Sequence, residues 1–219
     1  MTNLYISTTG NDANDGLTIG SPKLTAQAAY DTAFADTGDY TLQLGAGTFA
    51  GITLTANWPV RIAVRGAGAT SSFLGGISGN GADDTGSGAT AGFNIEIVGD
   101  NTANLGTIST VGGYGVYISG NGGSVTLTTS TSGAISTAGS DSLGSSGSSG
   151  SSGSVSLTDS TSGDITTKGS DGYDGYGGYG GSVSLTTSTS GDIFANGGVG
   201  NYDIGNGDGG GGGGSVSLT

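Results

Sequence analysis

The chain has 219 residues, 50 of them glycine, and sets four Lys and Arg against 17 Asp and Glu, for a net charge of -13. That balance argues against nucleic acid or an anionic membrane as a partner, because both demand clustered basic residues. With no cysteine and no histidine, a disulfide framework, a thiolate metal site and the commonest general base are all excluded.

Charged residues make up only 10% of the chain, whereas disordered chains are typically charge-rich. The glycine therefore points to a repeat protein that places it in turns and outer loops. No apolar run approaches the roughly 20 residues of a membrane span, so no membrane insertion is expected. The opening MTNLYISTTG moves directly into strand-like alternation. It lacks a basic start and an apolar core, so no signal peptide is expected in this chain.

The loop GNDANDG at 10–16 groups Asp12 and Asp15, and GADDTG at 81–86 groups Asp83 and Asp84. Clustered carboxylates and carbonyls suit a hard cation, which makes these four residues candidate Ca2+ ligands. They are equally ordinary turn residues, and no other cofactor is expected. The stretch LTAQAAYDTAFA at 24–35 predicts a short helix with Leu24, Ala28 and Phe34 on one face, placed to cap one end of the fold. Residues 1–41 are read as that N-terminal cap and residues 42–219 as the body.

In the body, LQLGAGTFAGITL (42–54), VRIAVRG (60–66) and FNIEIVG (93–99) followed by GTIST (106–110) all read as short strands. Leu42 and Leu44 align with Ile62 and Val64 twenty residues later. Beyond them the text becomes repetitive: a glycine followed by SVTLT or SVSLT recurs with its first serine at Ser124, Ser154, Ser182 and Ser215. A second short strand follows each complete copy, at 133–137, 163–167 and 191–195.

Within each copy the apolar residues alternate, as in a strand with one buried face. Val125 and Leu127, Val155 and Leu157, and Val183 and Leu185 repeat at matched positions, with Ile135, Ile165 and Ile193 as a third set. One copy cannot bury so few aliphatic side chains by itself. Stacked copies bury them like on like, one strand spacing of about 4.8 Å apart. The expected fold is all-β: a parallel β-solenoid of about six turns with a seventh begun.

The opening, through Gly10, Asp12, Asp15 and Gly16, the helical stretch, Gly38 and Asp39, and then Gly47, Thr48 and Phe49, resembles the start of right-handed parallel β-helix proteins of the pectate-lyase-like class. The resemblance covers about the first 50 residues. It implies a right-handed parallel β-helix with a short N-terminal capping helix, and it implies little about activity, since that fold carries lyases, hydrolases, adhesins and inert stalks.

The enzymatic members of that class work with a basic residue near acidic Ca2+ ligands, or with paired carboxylates. Here Arg61 and Arg65 share one strand face opposite Ile62 and Val64, and Asp164 and Asp192 occupy equivalent places in successive turns. A polysaccharide-degrading tailspike is thus an alternative. The solvated strand face and the Gly-Asp turn account for the same residues, and no catalytic residue is assigned.

Three long Gly-rich inserts, 139–153, 169–181 and 197–214, interrupt the repeat. GSSGSSGSSG places glycine at every third residue, and DGYDGYGGY places Tyr173, Tyr176 and Tyr179 at every third. That period matches an extended chain with three residues per turn. The inserts either pack as a hydrogen-bonded layer or hang as flexible loops, which cost little to lengthen. In the first case Tyr173, Tyr176 and Tyr179, with Asp171, Asp174 and Tyr202, form a candidate ligand-binding surface for a cell-surface glycan or receptor. In composition the alternation of glycine motifs with variable segments also resembles the Gly-rich receptor-binding adhesins of phage long tail fibres.

The last residues, GGSVSLT, begin a turn and expose Val216 and Leu218 on a strand edge, the kind of edge that pairs with another chain. Such an edge is expected of a fragment of a longer solenoid, or of subunits that stack end to end; self-association in a filament or surface layer is the alternative expectation for function. The leading one is a non-enzymatic adhesin of a virion or extracellular surface that displays Gly/Tyr/Asp loops on a rigid stem.

Overall fold

The computed structural model describes residues 1–59, 61–68, 72–84, 88–142, 148–172, 176–200 and 209–219. In chain order the elements are β1 (Thr2–Ile6), α1 (Ala26–Ala35), β2 (Tyr40–Leu44), β3 (Gly47–Phe49), β4 (Ile52–Thr53), β5 (Ile62–Gly66), β6 (Ser72–Leu74), β7 (Ile77–Ser78) and β8 (Ile95–Val98). They continue as β9 (Ile108–Ser109), β10 (Val125–Thr128), β11 (Ile135–Ser136), β12 (Val155–Thr158), β13 (Ile165–Thr166), β14 (Val183–Thr186), β15 (Ile193–Phe194) and β16 (Val216–Leu218). The described strand ladders are all parallel, and each links one repeat to the next in a β-rich, solenoid-like stack.

Two long sheets carry the repeat. One runs β16-β14-β12-β10-β8 and the other β15-β13-β11-β9-β7-β4, while β1-β2-β5 and β3-β6 complete the first turns. The register is like on like: Ile95, Val125, Val155, Val183 and Val216 form one column, and Ile97, Leu127, Leu157, Leu185 and Leu218 the next. Opposite them Ile52, Ile77, Ile108, Ile135, Ile165 and Ile193 form a third. Most of these side chains are fully buried, so a few aliphatic residues per turn make one continuous core.

In the early turns the pairing differs from the expected one. Tyr40 lies opposite Ile62 and Leu42 opposite Val64, so the two strands are offset by two residues from the alignment of Leu42 with Ile62. The ladder begins at Tyr40, directly after the Gly38-Asp39 turn, where its N–H donates to the Arg61 carbonyl at 3.0 Å. A slip of two keeps every side chain on its original face, so the buried pattern alone does not distinguish the registers. β1, assigned to the N-terminal cap from sequence, pairs in parallel with β2 and adds a strand to the stack.

The helix also differs from its expected face. It buries Ala26, Ala29, Tyr30 and Ala33, leaving Leu24 and Phe34 exposed. Thr25 is the N-cap, its hydroxyl accepting from the Ala28 N–H at 3.2 Å, so the helix starts two residues later than read. The alanines allow close approach to β1, β2 and β4, and Tyr30 packs on Trp58 with ring centroids 5.1 Å apart. The Gln27 amide accepts from the Thr53 N–H at 2.7 Å and donates to the Thr53 carbonyl at 3.3 Å, satisfying both backbone groups of a residue on the edge strand β4.

After each long strand the chain turns through a residue in the left-handed region: Asn101, Thr129, Asp159 and Thr187 have φ between 49° and 59°. After Thr129, Asp159 and Thr187 the next residue is a serine, and Ser130 and Ser160 are buried. The Ser130 N–H donates to the Ser160 hydroxyl at 3.1 Å, and the Ser160 N–H to the Ser188 hydroxyl at 3.0 Å. A polar column thereby satisfies the buried corner.

Two stability measurements follow from this packing. Leu157→Ala removes a fully buried side chain with like neighbours on both sides and should cost about 2–5 kcal/mol in chemical denaturation. Thr187→Asn, at an exposed left-handed position, should instead raise stability by about 1 kcal/mol, because asparagine tolerates that conformation and threonine resists it.

Candidate functional site: the glycine-rich arms

The described parts of each insert form an outgoing arm that leaves the stem after the second short strand and a returning arm that rejoins it before the next long one. The sequence reading placed three of these inserts, and the structure adds two earlier ones at 81–92 and 112–123, before the first complete copy of the repeat. Outgoing arms stack on outgoing arms: the N–H groups of Gly112, Gly139 and Gly169 donate to the carbonyls of Ala138, Lys168 and Asn196 at 2.8–3.1 Å. Returning arms stack likewise, Gly122 to Ser151, Ser152 to Tyr179 and Gly180 to Gly212, all at 2.9 Å.

A third set of bonds crosses between the two kinds of arm. From Gly211 the donors run to Gly198, Gly178, Ser170, Gly150, Ser140, Gly120 and Gly113 in one unbroken zigzag at 2.8–3.2 Å. The described parts of the arms thus form a two-layer hydrogen-bonded slab, the ordered alternative of the two that the three-residue period left open.

Glycine is required inside the slab for space. A Cβ on Gly150 would stand 2.1 Å from the Gly120 carbonyl oxygen, and one on Gly178 would stand 2.0 Å from that of Gly150. No real side chain sits so close, and this explains why glycine recurs at every third residue on the returning arms. Three of the insert necks are pinned by a fully buried threonine. Thr110, Thr137 and Thr167 donate their hydroxyls to the carbonyls of Gly123, Gly153 and Gly181 at 2.7, 2.8 and 2.7 Å. In the next turn the equivalent is Ala195, and there the neck is closed by the Gly214 N–H on the Ala195 carbonyl alone among the described bonds.

Residues that point away from the slab occupy its two faces. On the returning arms Tyr176 and Tyr179 stand 69% and 66% exposed, three residues apart and in line with Ser148 and Ser151 of the preceding arm and Gly209 and Gly212 of the following one. These two tyrosines of the candidate surface are therefore together and accessible. Tyr173, Asp174 and Tyr202 lie outside the described residues.

Asp171 belongs to an outgoing arm and is engaged in the framework. One carboxylate oxygen accepts from the Val199 N–H of the next turn at 2.9 Å, and the other lies 3.3 Å from the Lys168 ammonium. The Val199 bond, with Lys168 assisting against partial burial, holds the Asp171 carboxyl below its ordinary range. Asp141 does the same for the Asp171 N–H at 2.9 Å, and Asp83 for the Tyr114 N–H at 2.7 Å. This inter-turn role is not visible in single copies of the repeat; only the alignment of one arm over the next reveals it.

The remaining candidates are likewise occupied. Asp12 accepts from the N–H groups of Leu24 and Thr25 and from the Thr25 hydroxyl at 2.8–2.9 Å. Desolvation works against its ionisation, yet these bonds and the nearby Lys23 hold it below the ordinary carboxylate range. Asp15 accepts from the Leu17 N–H at 3.0 Å and Asp84 from the Gly88 N–H at 2.9 Å. Among the described residues no three acidic groups converge. Arg61 donates to the carbonyls of Ala33 and Phe34 at 2.9 Å each and closes the helix C-terminus, while Arg65 pairs with Asp100 at 3.5 Å.

Asp164 does stack with Asp192, as their equivalent positions implied, and its carboxylate accepts from the Asp192 N–H at 2.9 Å. At the far end of the stack Val216 and Leu218 are 48% and 69% exposed on β16, which pairs with β14 on one side. No family model, curated protein or solved structure matches this chain.

The slab makes three outcomes measurable. Gly178→Ala should destabilise by about 1–3 kcal/mol through overpacking, whereas Gly212→Ala, whose Cβ meets nothing closer than 3.5 Å, should stay within about 0.5 kcal/mol of the parent. Thr167→Val leaves the buried Gly181 carbonyl without its hydroxyl and should cost about 1–3 kcal/mol. Asp171 is depressed in the folded state, so its contribution is intact above the ordinary 3.8 and lost as pH falls through the lower folded value. Thermal melts between about pH 5 and pH 2 should therefore fall less in Asp171→Asn, whose amide oxygen keeps the Val199 bond without titrating.

Proposed function

We propose that the chain is a non-enzymatic adhesion protein. In this reading it is a right-handed parallel β-helix, closed at its first turn by α1, whose glycine-rich arms present a binding surface to a cell-surface glycan or receptor. Its place is a virion tail fibre or a similar extracellular surface structure. The observation that carries the reading is the pair of highly exposed tyrosines, Tyr176 and Tyr179, held on a slab of backbone hydrogen bonds. Exposed aromatic rings lose contact with nothing when a ligand arrives, and a rigid support spares the ligand the entropy of ordering them.

The enzymatic readings find less support. Arg61, which a lyase would call on as base, is engaged by two helix carbonyls. Asp164 and Asp192, which a hydrolase would call on, are joined by a backbone bond of the framework. A second reading rests on β16, where Val216, Leu218 and an outer strand edge are exposed. It makes end-to-end stacking of subunits in a filament the function.

Electron microscopy and sedimentation of the purified chain, together with binding to a broad glycan array and to whole cells, separate the two. The adhesion reading expects discrete short rods, and array or cell binding that falls at least about tenfold in the Tyr176→Ala/Tyr179→Ala double variant, with its melting temperature unchanged. Long fibres of uniform width without glycan or cell binding would transfer the function to the β16 edge.

A further inference from the structure

Four glycines of the last described returning arm fall into two contrasting pairs. At Gly211 and Gly214 an added Cβ would meet a carbonyl oxygen at 1.9 and 2.0 Å, so the slab itself demands glycine there. At Gly209 and Gly212 the nearest atoms belong to the rings of Tyr176 and Tyr179, at 3.8 and 3.5 Å, which is ordinary contact. Packing does not require glycine at those two places. Its effect there is to leave the flank of each tyrosine ring bare, while on the opposite flank stand only the small hydroxyl side chains of Ser148 and Ser151.

Among the described residues, the two phenol rings thus stand in a shallow strip flanked directly by serine and glycine, with the exposed Ile118 one arm beyond Ser148. Their line follows the arm, and three residues of an extended three-fold chain advance about 9 Å. Across the arms each tyrosine is flanked by serine and glycine, so the aromatic spacing repeats along the arm only. Among the described residues the strip carries no charged side chain, and the acidic residues Asp141 and Asp171 belong to the outgoing arms. With a net charge of -13 on the whole chain, an anionic polymer would be repelled. A protein partner would look for a contiguous apolar or aromatic core in its interface, which isolated rings on glycine and serine do not supply.

We infer that this returning-arm strip binds an uncharged, extended polysaccharide lying along the arms, with Tyr176 and Tyr179 each stacked on the apolar face of a sugar ring and the serine hydroxyls bonding to sugar hydroxyls. The inference rests on the adhesion reading and narrows it to one face of the slab, one ligand charge and one ligand direction.

The test is native affinity electrophoresis of the full chain in gels cast with a soluble neutral β-glucan, a neutral mannan, a neutral galactan or the anionic polygalacturonate. At least one neutral polymer should retard the protein, and Tyr176→Ala and Tyr179→Ala should each weaken that retardation up to about tenfold, the upper range for one aromatic contact. Gly212→Leu, which covers a ring flank, should weaken it as well with an unchanged melting temperature. Tyr114→Ala, on the outgoing arms, should leave it unchanged.

Retardation by polygalacturonate alone, by none of the neutral polymers, or equally in the tyrosine variants and the parent overturns the strip. If the glycan array or cells still bind in any of those cases, the adhesion reading stands with another surface. If neither binds, that reading falls too.

Discussion

Every level of this structure depends on the backbone hydrogen bond between one turn and the next. Each repeat is too small to bury a core of its own, and its strands are two to five residues long. What holds them is that the N–H and C=O groups of one turn are satisfied by the next at the same spacing throughout. That spacing stacks valine on valine and isoleucine on isoleucine in the stem. Outside the stem, the same spacing brings the glycine arms into bonding distance. Stem and slab are two consequences of one translation.

Short polar side chains extend the principle. Asn94, Asn121, Asp141, Asp164 and Asp171 each accept an N–H from the following turn, so they add inter-turn bonds where strands have ended. Three of the 17 acidic residues are thereby part of the framework. At Asp171 this role also ties part of the stability to an ionised carboxylate, because the Val199 bond it accepts in the folded state makes it resist protonation. Thr110, Thr137 and Thr167 do the matching work inside, each closing an insert neck with a hydroxyl that would otherwise be an unsatisfied buried group.

Because the slab's interior is almost all backbone, an outward side chain that makes no inter-turn bond can vary without loss of stability. An arm must keep glycine where a neighbour's carbonyl faces it, but the outward third residue is free to be serine, asparagine, tyrosine or glycine. Such a scaffold separates the residues that fold from the residues that bind. The proposed role for Tyr176 and Tyr179 follows from that separation, since neither contributes to the bonds that hold the arms together through its side chain.

The stem was legible in the amino-acid sequence because its signal is local and repeated. Alternation of Val and Leu marks a strand, and recurrence of the same text marks stacked copies whose like residues meet. The three-residue period of the inserts was equally readable, but not whether the arms would order, since a single arm has no partner for its backbone and only the neighbouring turn supplies one. The helix boundary and the offset between β2 and β5 were misread for related reasons. Thr25 is an N-cap only once Asp12 and the stem position it, and a two-residue slip preserves every buried face. Composition and periodicity by themselves determined a parallel stacked β fold with glycine arms. The tertiary structure alone decided that the arms form a slab, that Asp171 is spent on Val199, and that Tyr176 and Tyr179 share one open face, because those facts arise from contacts between residues about 30 positions apart.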